Sequence, residues 1–316
     1  MWTLHEKQEP SDRVRNSFLS RPLAFGFLLC LLLLLVISAW NLTRLQRLEK
    51  AIRMAGGEFR NPNRFDASTL PSLFQTLQAT FRSGSRKPFS LVLLGSVEES
   101  DWISDYGTDL RKLPEVELTL KNYKHTAKLL QTLEGSDNIV SLYVFGTPLS
   151  EDILRSISRQ RNLTLLYINH CTQADGSIKY LKDLDRLEHL VLIRTPINEQ
   201  DVRSFQDLVA LKRLGIDSAT VSPNCVDNLA ACRTLEKLAI IDATDDTIKD
   251  MSSVSWNCIL LFFANDITSQ CIPDLARMSL AKELHVAGSK ISASDIEHAE
   301  VSLANVRLRA AIKLPE

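Results

Sequence analysis

The stretch LEHLVLIRTPINEQDVRSF, residues Leu187–Phe205, decides the fold because its order of residue types describes one complete structural unit. Its apolar residues stand at Leu187, Leu190 and Leu192. Alternate residues of a β-strand point to opposite faces, so this spacing predicts a short strand with one buried side. Thr195-Pro196-Ile197 interrupts the strand, and the acidic run after Asn198 carries a helix-start signal. The stretch therefore predicts a strand, a corner and a short helical return.

The same order recurs along the chain at a nearly constant interval, which is the sequence signature of a repeat protein. Each recurrence has the form apolar-x-x-apolar-x-apolar, and most begin 24 residues after the previous one. The recurrences begin at Phe89, Leu113, Ile139, Leu163, Leu187, Leu211, Leu235, Cys258, Ala281 and Leu303. A single unit cannot bury its own apolar edge, whereas stacked units share one core. The sequence therefore predicts an α/β solenoid of about ten strand–turn–helix units over residues 89–316.

Two stretches, Ile139–Leu149 and Leu187–Ile197, share the form L-x-x-L-x-L-x-x-[T/C/N]-x-[I/L]. This form resembles the leucine-rich repeat family. The T-x-I variant with a 24-residue period is most similar to the bacterial repeats of that family, which often follow a membrane anchor. The resemblance implies a right-handed solenoid in which a ladder of small polar residues, such as Thr147, lies inside the corners.

The resemblance also bears on His170-Cys171, a pair that suggests metal or thiol chemistry. Cys171 occupies the ladder position, where leucine-rich repeats often place Cys, so a structural role is expected instead. Ala219, Ala243 and Asp266 depart from the usual ladder residue, and the units after Trp256 are shorter. The C-terminal end of the solenoid is therefore expected to be less regular.

The segment LAFGFLLCLLLLLVISAW, residues 23–40, contains no charged residue. As a helix it is about 27 Å long, close to the hydrocarbon thickness of a bilayer, which predicts a single transmembrane signal anchor. A cleaved signal peptide is the alternative, but the apolar run is long and Ile37-Ser38-Ala39 is a poor cleavage site. Basic residues flank both sides, so charge does not orient the span. The usual shape of single-pass proteins predicts a cytoplasmic tail over residues 1–22 and an extracytoplasmic repeat domain.

Residues 41–88 join this span to the first unit. A stripe of apolar residues predicts a helical stalk, with a short parallel coiled coil as the alternative. The stripe consists of Leu42, Leu45, Leu48 and Ile52. Ser68 and Pro71 then begin an amphipathic helix that runs to Phe81. Its position predicts the N-terminal cap that covers the apolar edge of the first unit.

Composition and motifs limit the possible functions. Lys plus Arg total 37 against 38 Asp plus Glu, so the chain lacks the basic footprint of nucleic-acid binding and no nucleic-acid partner is predicted. The six cysteines form no C-x-x-C pair, which argues against a zinc site or a disulfide framework. The phosphate-binding, dinucleotide-binding, zinc-protease and serine-hydrolase motifs are missing from the sequence. We therefore predict no catalytic residue, no cofactor and no metal.

The residues between the repeated apolar positions are expected on the opposite, concave face of the strands. The predicted central column of that face is Leu93, Glu117, Tyr143, Tyr167, Val191, Gly215, Ala239, Phe262, His285 and Arg307. The predicted partner-binding patch is Tyr143, Phe145, Leu165, Tyr167, Val191 and Ile193. Exposed clusters of this kind commonly mark protein contacts. The alternative is local packing, because aromatic and β-branched residues also favour strands.

These observations predict a non-enzymatic, membrane-anchored module that binds another protein through the concave face of a solenoid. The alternative is a structural or scaffolding membrane protein that self-associates through its stalk or lateral surfaces. Loss of binding after mutation of the tyrosines distinguishes the first hypothesis from the second.

Overall fold

The computed structural model describes residues 42–54, 57–60, 88–94, 101–172, 177–264, 266–278, 280–287, 290–292, 295 and 306–309. The predicted tail (1–22), the predicted transmembrane segment (23–40) and the predicted cap helix that begins at Ser68 lie outside these residues. Within the described ranges, no helix is long and apolar enough to cross a membrane. The chain divides into two compact units, residues 1–50 and 51–316. Residues 42–50 of the first unit are helical.

The second unit contains one sheet in which every strand pairs with its neighbours in the sequence. The first strand is antiparallel to the second, and all later pairs are parallel. The strands are β1 (Glu58–Arg60), β2 (Phe89–Leu94), β3 (Val116–Lys121), β4 (Ile139–Phe145), β5 (Leu165–Asn169), β6 (His189–Ile193), β7 (Arg213–Asp217), β8 (Lys237–Ile241), β9 (Ile259–Phe263), β10 (Glu283–Ala287) and β11 (Val306–Arg309). Parallel neighbours require a crossover between strands, and short helical segments supply it here.

The crossovers are α-helices in most units and 3₁₀ turns in others. The helices are α1 (Asp101–Arg111), α2 (Thr126–Thr132), α3 (Glu151–Ser158), α4 (Glu199–Ser204), α5 (Pro223–Ala230), α6 (Asp245–Met251) and α7 (Ile272–Arg277). The 3₁₀ turns are Ile178–Asp183, Phe205–Asp207, Ser218–Thr220 and Ser269–Cys271. The predicted helix start at Asn198 is confirmed, since its side chain and that of Asp201 form a reciprocal cap of α4.

Residues 24 apart in the sequence are paired directly across β4 to β8. One such row is Leu142, Leu166, Leu190, Leu214 and Leu238, and each member is at most 2% exposed. The apolar residues predicted on the helical returns are buried as well, including Leu181, Phe205 and Leu229. Each unit therefore adds one layer to a continuous core, and the predicted α/β solenoid is confirmed.

The corners have a common backbone geometry. The residue that follows the strand has a positive φ in several units: Asn122, Gly146, His170, Arg194 and Asp242. This conformation turns the chain abruptly, and it favours Gly or Asn although His and Arg also occupy it here. The amide of the turning residue commonly donates to the carbonyl that ends the next strand, as from His170 to Ile193 at 3.0 Å.

The polar ladder lies directly behind these corners. Thr195 is 2% exposed; its hydroxyl donates to the carbonyl of Ile193 (3.0 Å) and accepts from the amide of Cys171 (3.4 Å). The Cys171 thiol donates to the carbonyl of Asn169 at 3.4 Å, and the Thr147 hydroxyl bonds similarly in its own unit. The structural role predicted for Cys171 is confirmed. These side chains satisfy backbone groups that have left the sheet.

The ladder is interrupted in the next unit. Ala219 is exposed because the chain forms the 3₁₀ turn Ser218–Thr220 there, so no side chain enters the corner. Ala243 returns to the interior, with 1% of its surface exposed. The alanine side chain cannot form a hydrogen bond with the backbone, so it only fills space at this position.

The structure corrects the predicted register of β2. The pattern placed Val92 and Leu94 inside and Leu93 on the opposite face. Leu91 and Leu93 are instead fully buried, and Val92 is partly exposed. The strand FSLVLL carries apolar residues on both faces, so alternation alone does not determine which set faces the core.

A second correction concerns the predicted central column at β3. A bulge in β4 interrupts the register, because Val116 pairs with Ile139 whereas Glu117 pairs with Ser141. Thr119, and not Glu117, is therefore aligned with Tyr143. Glu117 remains on the same face of the sheet, two residues nearer the start of the strand.

The register at β9 is also one residue from the prediction. The pattern placed Leu261 and Phe263 in the core and Phe262 in the exposed column. Leu260 and Phe262 are fully buried, whereas Leu261 and Phe263 are partly exposed. The predicted ladder residue Asp266 is consequently exposed and does not enter the corner of this unit.

Strand β1 was not predicted, and it closes the first edge of the sheet. It pairs antiparallel with β2, and the ring of Phe59 stacks on Phe89 with 5.8 Å between centroids. Gly57 permits this close approach, since an added Cβ would lie 2.8 Å from the carbonyl oxygen of Val92. An edge strand without a partner would expose amide and carbonyl groups, and β1 covers them.

Candidate binding surface

The exposed face of the sheet consists of the strand residues that alternate with the core set. These residues are partly exposed along most of the strands, from Val92 in β2 to His285 in β10. Neighbouring parallel strands are about 4.8 Å apart, so side chains in matching positions form continuous rows across the face. Among the residues whose side chains the structure describes, the central row is Val92, Thr119, Tyr143, Tyr167, Val191, Gly215, Ala239, Leu261 and His285.

The structure brings the predicted patch together on β4, β5 and β6. Its members are Tyr143, Phe145, Leu165, Tyr167, Val191 and Ile193, and all are partly exposed. The ring of Tyr167 is the centre of the patch, 5.9 Å from the ring of Tyr143 and 5.4 Å from that of Phe145. These tilted contacts are within the favourable range for aromatic pairs. The six side chains therefore form one surface, here called the aromatic patch.

A polar residue, Asn169, lies inside this surface and is not part of the predicted patch. Asn169 pairs with both Phe145 and Ile193, so it separates these two predicted members. Its amide nitrogen donates to the Tyr167 hydroxyl at 3.3 Å, while its carbonyl oxygen is buried without a bond among the described residues. The aromatic patch thus contains one unsatisfied acceptor beside its central ring.

Charged residues border the patch on the β3 side. The Lys121 ammonium group lies 5.5 Å from the centroid of Phe145, within range of a cation–π contact. Burial, together with the negative charge of Glu117, raises the pKa of the Tyr143 hydroxyl above its usual value. Tyr143 is therefore a neutral hydroxyl at physiological pH, able to donate a hydrogen bond.

A second apolar group on the same face was missed because of the register at β9. Its members are Ile241, Ile259, Leu261 and Phe263, here called the second cluster. Leu261 pairs with Ala239, and Phe263 pairs with Ile241. The run ILLFF is apolar on both faces, so its own sequence does not show which residues face the core. Leu284 in the next strand does indicate them. Counting the 24-residue interval back from Leu284 reaches Leu260 and identifies it as the core residue.

Strand β7 separates the two apolar groups with a polar arrangement. Arg213 begins the strand, Gly215 lies at its centre, and Asp217 ends it. An added Cβ on Gly215 would lie 3.3 Å from the Val191 side chain, so this position favours glycine. Because Gly215 has no side chain and Ala239 has a small one, they form a shallow depression between the aromatic patch and the second cluster.

The carboxylate of Asp217 belongs to a charged group at the corner. It accepts a hydrogen bond from the amide of Arg194, whose guanidinium contacts the His170 ring at 3.2 Å. Burial raises the pKa of Asp217 above its usual value, while the Arg194 amide acts in the opposite direction. These contacts hold the corner of the chain, since they connect three successive units.

The histidines and cysteines of the described residues are not arranged as a metal site. Among those residues, no group of three His, Cys, Asp or Glu side chains could hold an ion. His189 and His285 lie four strands apart, about 19 Å at ordinary strand spacing.

Cys232 and Cys258 line a cavity of about 300 Å³ beside Trp256. Both thiols are nearly fully buried, and burial raises the pKa of each to about 11. They are therefore protonated at neutral pH and poorly nucleophilic. The Trp256 ring nitrogen donates to the carbonyl of Met251 at 2.8 Å, which fixes the indole as part of the core.

A larger cavity of about 570 Å³ lies on the helical side, between α3 and the next unit. Its lining carries charges of both signs. The guanidinium of Arg155 lies 4.3 Å from the Tyr180 ring centroid and 3.7 Å from Glu151, and the Tyr180 hydroxyl donates to Glu151 at 2.8 Å. Asp183 and Asp185 also line the cavity, so it favours neither anionic nor cationic ligands.

The parallel sheet, the 24-residue register and the interior ladder define a leucine-rich-repeat-like α/β solenoid. No protein-family model matches the chain, and a search of curated proteins finds no match.

Solved structures show similarity to this chain at low identity. An internalin (inlF) of Listeria monocytogenes strain 4b F2365 has a TM-score of 0.36 and 15% identity, over 70% of this chain and 66% of that chain. Internalin C2 of the same strain has a TM-score of 0.32 and 18% identity, over 58% and 84%. TLR13, in a complex with ssRNA13, has a TM-score of 0.38 and 18% identity, over 60% and 31%. The fold assignment rests on the register of the sheet.

Proposed function

We propose that the protein is a single-pass, membrane-anchored module that binds another protein through the aromatic patch and carries out no catalysis itself. In this proposal residues 23–40 are the anchor and the solenoid lies outside the cytoplasm. The threonine ladder at Thr147 and Thr195 supports a bacterial type of leucine-rich repeat. The partner is a protein whose surface is complementary to aromatic and aliphatic side chains.

The observation that carries the proposal is the contact of three aromatic rings on a partly exposed sheet face. Tyrosine is enriched among the residues that dominate protein interfaces, since it combines a large apolar area with a polar hydroxyl. The hydrogen-bonded register of β4 and β5 holds Tyr143 and Tyr167 in fixed relative positions. Binding therefore costs little additional ordering of the surface.

Local packing is the competing explanation of the same rings. If the rings serve only the sheet, replacing Tyr143 and Tyr167 lowers the stability of the fold and leaves binding unchanged. If they serve recognition, the same substitutions remove binding while the core, which lies on the other face, stays intact. Stability and binding must therefore be measured on the same variant.

The test is cross-linking and affinity capture from intact membranes with the full chain and with Tyr143→Ser plus Tyr167→Ser. Tyr180→Ser is the matched control, because Tyr180 lies on the helical side of the sheet. The proposal expects a protein that the wild type and the control capture and the double variant loses. Equal capture by all three proteins, or capture of the chain itself alone, would refute it; the latter would favour self-association.

A further inference from the structure

A row of basic residues crosses the exposed face where strands β6, β7 and β8 begin. His189 pairs with Arg213, and Arg213 pairs with Lys237, so the three residues are direct neighbours across the sheet. Arg213 is exposed, and Lys237 is partly exposed. Neither side chain has an ion-pair or hydrogen-bond partner among the residues that the structure describes. These three residues are here called the basic row.

The lack of an ion-pair partner distinguishes Arg213 and Lys237 from the nearest other cation. Lys212, the residue before Arg213, forms an ion pair with Glu188 at 2.9 Å. Burial and the charge of Arg213 lower the pKa of His189, so the charge of the row comes from Arg213 and Lys237. Like charges opposite each other on neighbouring strands repel. A bound carboxylate between them would remove that repulsion.

Apolar surfaces flank the basic row on both sides. The aromatic patch lies on β4, β5 and β6, and the second cluster lies mainly on β8 and β9. Tyr167 and Leu261 are four strands apart, which corresponds to about 19 Å. An extended segment crosses that distance in about six residues, at roughly 3.3 Å per residue.

We infer that the exposed face binds an acidic segment of a protein partner, with one apolar anchor on the aromatic patch, one on the second cluster and a carboxylate between them on Arg213 and Lys237. This inference rests on the proposed function and specifies the chemistry of its partner. A polyanion such as RNA fits less well, because Glu188 and Glu236 immediately precede His189 and Lys237 in the sequence and repel a ligand that carries many negative charges. A segment with one or two carboxylates meets less of this repulsion and matches the two positive charges of Arg213 and Lys237.

The test uses synthetic peptides and the full chain in detergent micelles. The acidic probe carries a Leu-Phe pair at each end, about six residues apart, and two central Glu residues. The matched probe carries Gln in place of Glu. Two exposed charge contacts at low salt correspond to about a fivefold difference in dissociation constant, which decreases as salt is added. We expect that preference for the Glu peptide in the wild type, measured by fluorescence anisotropy.

The variant Arg213→Gln plus Lys237→Gln is expected to bind both peptides equally. The control Arg203→Gln plus Lys249→Gln makes the same change of charge on exposed positions of helices α4 and α6, and it keeps the preference. Equal binding of the two peptides by the wild type, or no binding of either, would overturn the inference. So would a Glu preference that survives in the variant of the basic row.

A single-stranded oligouridine completes the set of probes. Binding of this RNA more tightly than the Glu peptide, with loss in the basic-row variant, would overturn the inference in favour of a polyanion. A different experiment tests the proposed function. If the Tyr143→Ser plus Tyr167→Ser variant captures the partner as well as the wild type does, the proposed function is wrong. A partner that depends on the tyrosines but not on Arg213 and Lys237 would leave the proposed function standing and remove this inference.

Discussion

Replacing Leu260 with Ala is expected to destabilise the solenoid far more than replacing Leu261 with Ala, although the two residues are adjacent and identical. Leu260 is 0% exposed and pairs with Leu238 and Leu284, which are also 0% exposed. Deleting a fully buried leucine side chain costs about 2–5 kcal/mol, because the lost transfer energy is accompanied by a cavity. Leu261 is partly exposed on the opposite face, so its truncation is expected to cost about 1 kcal/mol or less.

The assay is urea unfolding of the full chain in one detergent, followed by circular dichroism, together with hydrogen exchange of amides 259–263. Each unit of a solenoid contacts only its neighbours, so the loss in Leu260→Ala should appear first as faster exchange around β9. The matched variant Leu261→Ala controls for the loss of leucine itself. A greater loss of stability in Leu261→Ala than in Leu260→Ala would refute the observed register and restore the one that the sequence pattern predicted.

Three further perturbations test the corners, the ladder and the buried thiols. Gly146→Ala should cost about 1 kcal/mol or more in urea unfolding, because φ is 62° and the added Cβ would overlap a neighbouring side chain; Gly135→Ala, at φ 68° with open space, should cost less. Thr195→Val should cost about 1–3 kcal/mol, since two buried hydrogen bonds are lost, and Thr195→Ser should retain most of the stability. Cys232 and Cys258 should be alkylated about 100-fold more slowly in the folded than in the unfolded chain near neutral pH, as read by peptide mass spectrometry, because burial raises each pKa from 9.0 to about 11. A raised thiol pKa favours the neutral form, so their contribution to stability should fall as pH rises above 9.0.

The middle of the fold could be predicted from the sequence because a polar residue, such as His189 in β6 and Arg213 in β7, marks the face of the strand that does not enter the core. In LEHLVLI the flanking Glu188 and His189 leave no other register for Leu187, Leu190 and Leu192. The interval of 24 then transfers that register to the neighbouring units. The ladder at Thr147 and Thr195 followed from the same alignment.

The ends of the sheet were predicted less well for a physical reason. FSLVLL in β2 and ILLFF in β9 are apolar on both faces, and a shift of one residue exchanges the two faces without changing the pattern. The bulge at Val140 and the three-residue strand β1 leave no periodic signal. These features depend on pairing between strands and not on the local sequence.

The candidate surface shows the same division. The aromatic patch could be predicted because Tyr143 and Tyr167 occupy matching positions in units of regular length. The second cluster could not be predicted, because the register predicted for β9 was wrong by one residue. Asn169 could not be predicted either, because it is a polar residue among apolar neighbours. The basic row is visible in the sequence at the interval of 24, but its lack of ion-pair partners is a property of the fold.

The most direct measurement is site-specific photo-cross-linking of the full chain in its native membrane. A photoreactive phenylalanine replaces Val191 at the centre of the exposed face in one protein and Lys249 on helix α6 in another. The account predicts a covalent adduct with a partner protein from position 191 and none from position 249. An adduct from position 249 alone, or only dimers of the chain from both positions, would contradict recognition through the exposed face.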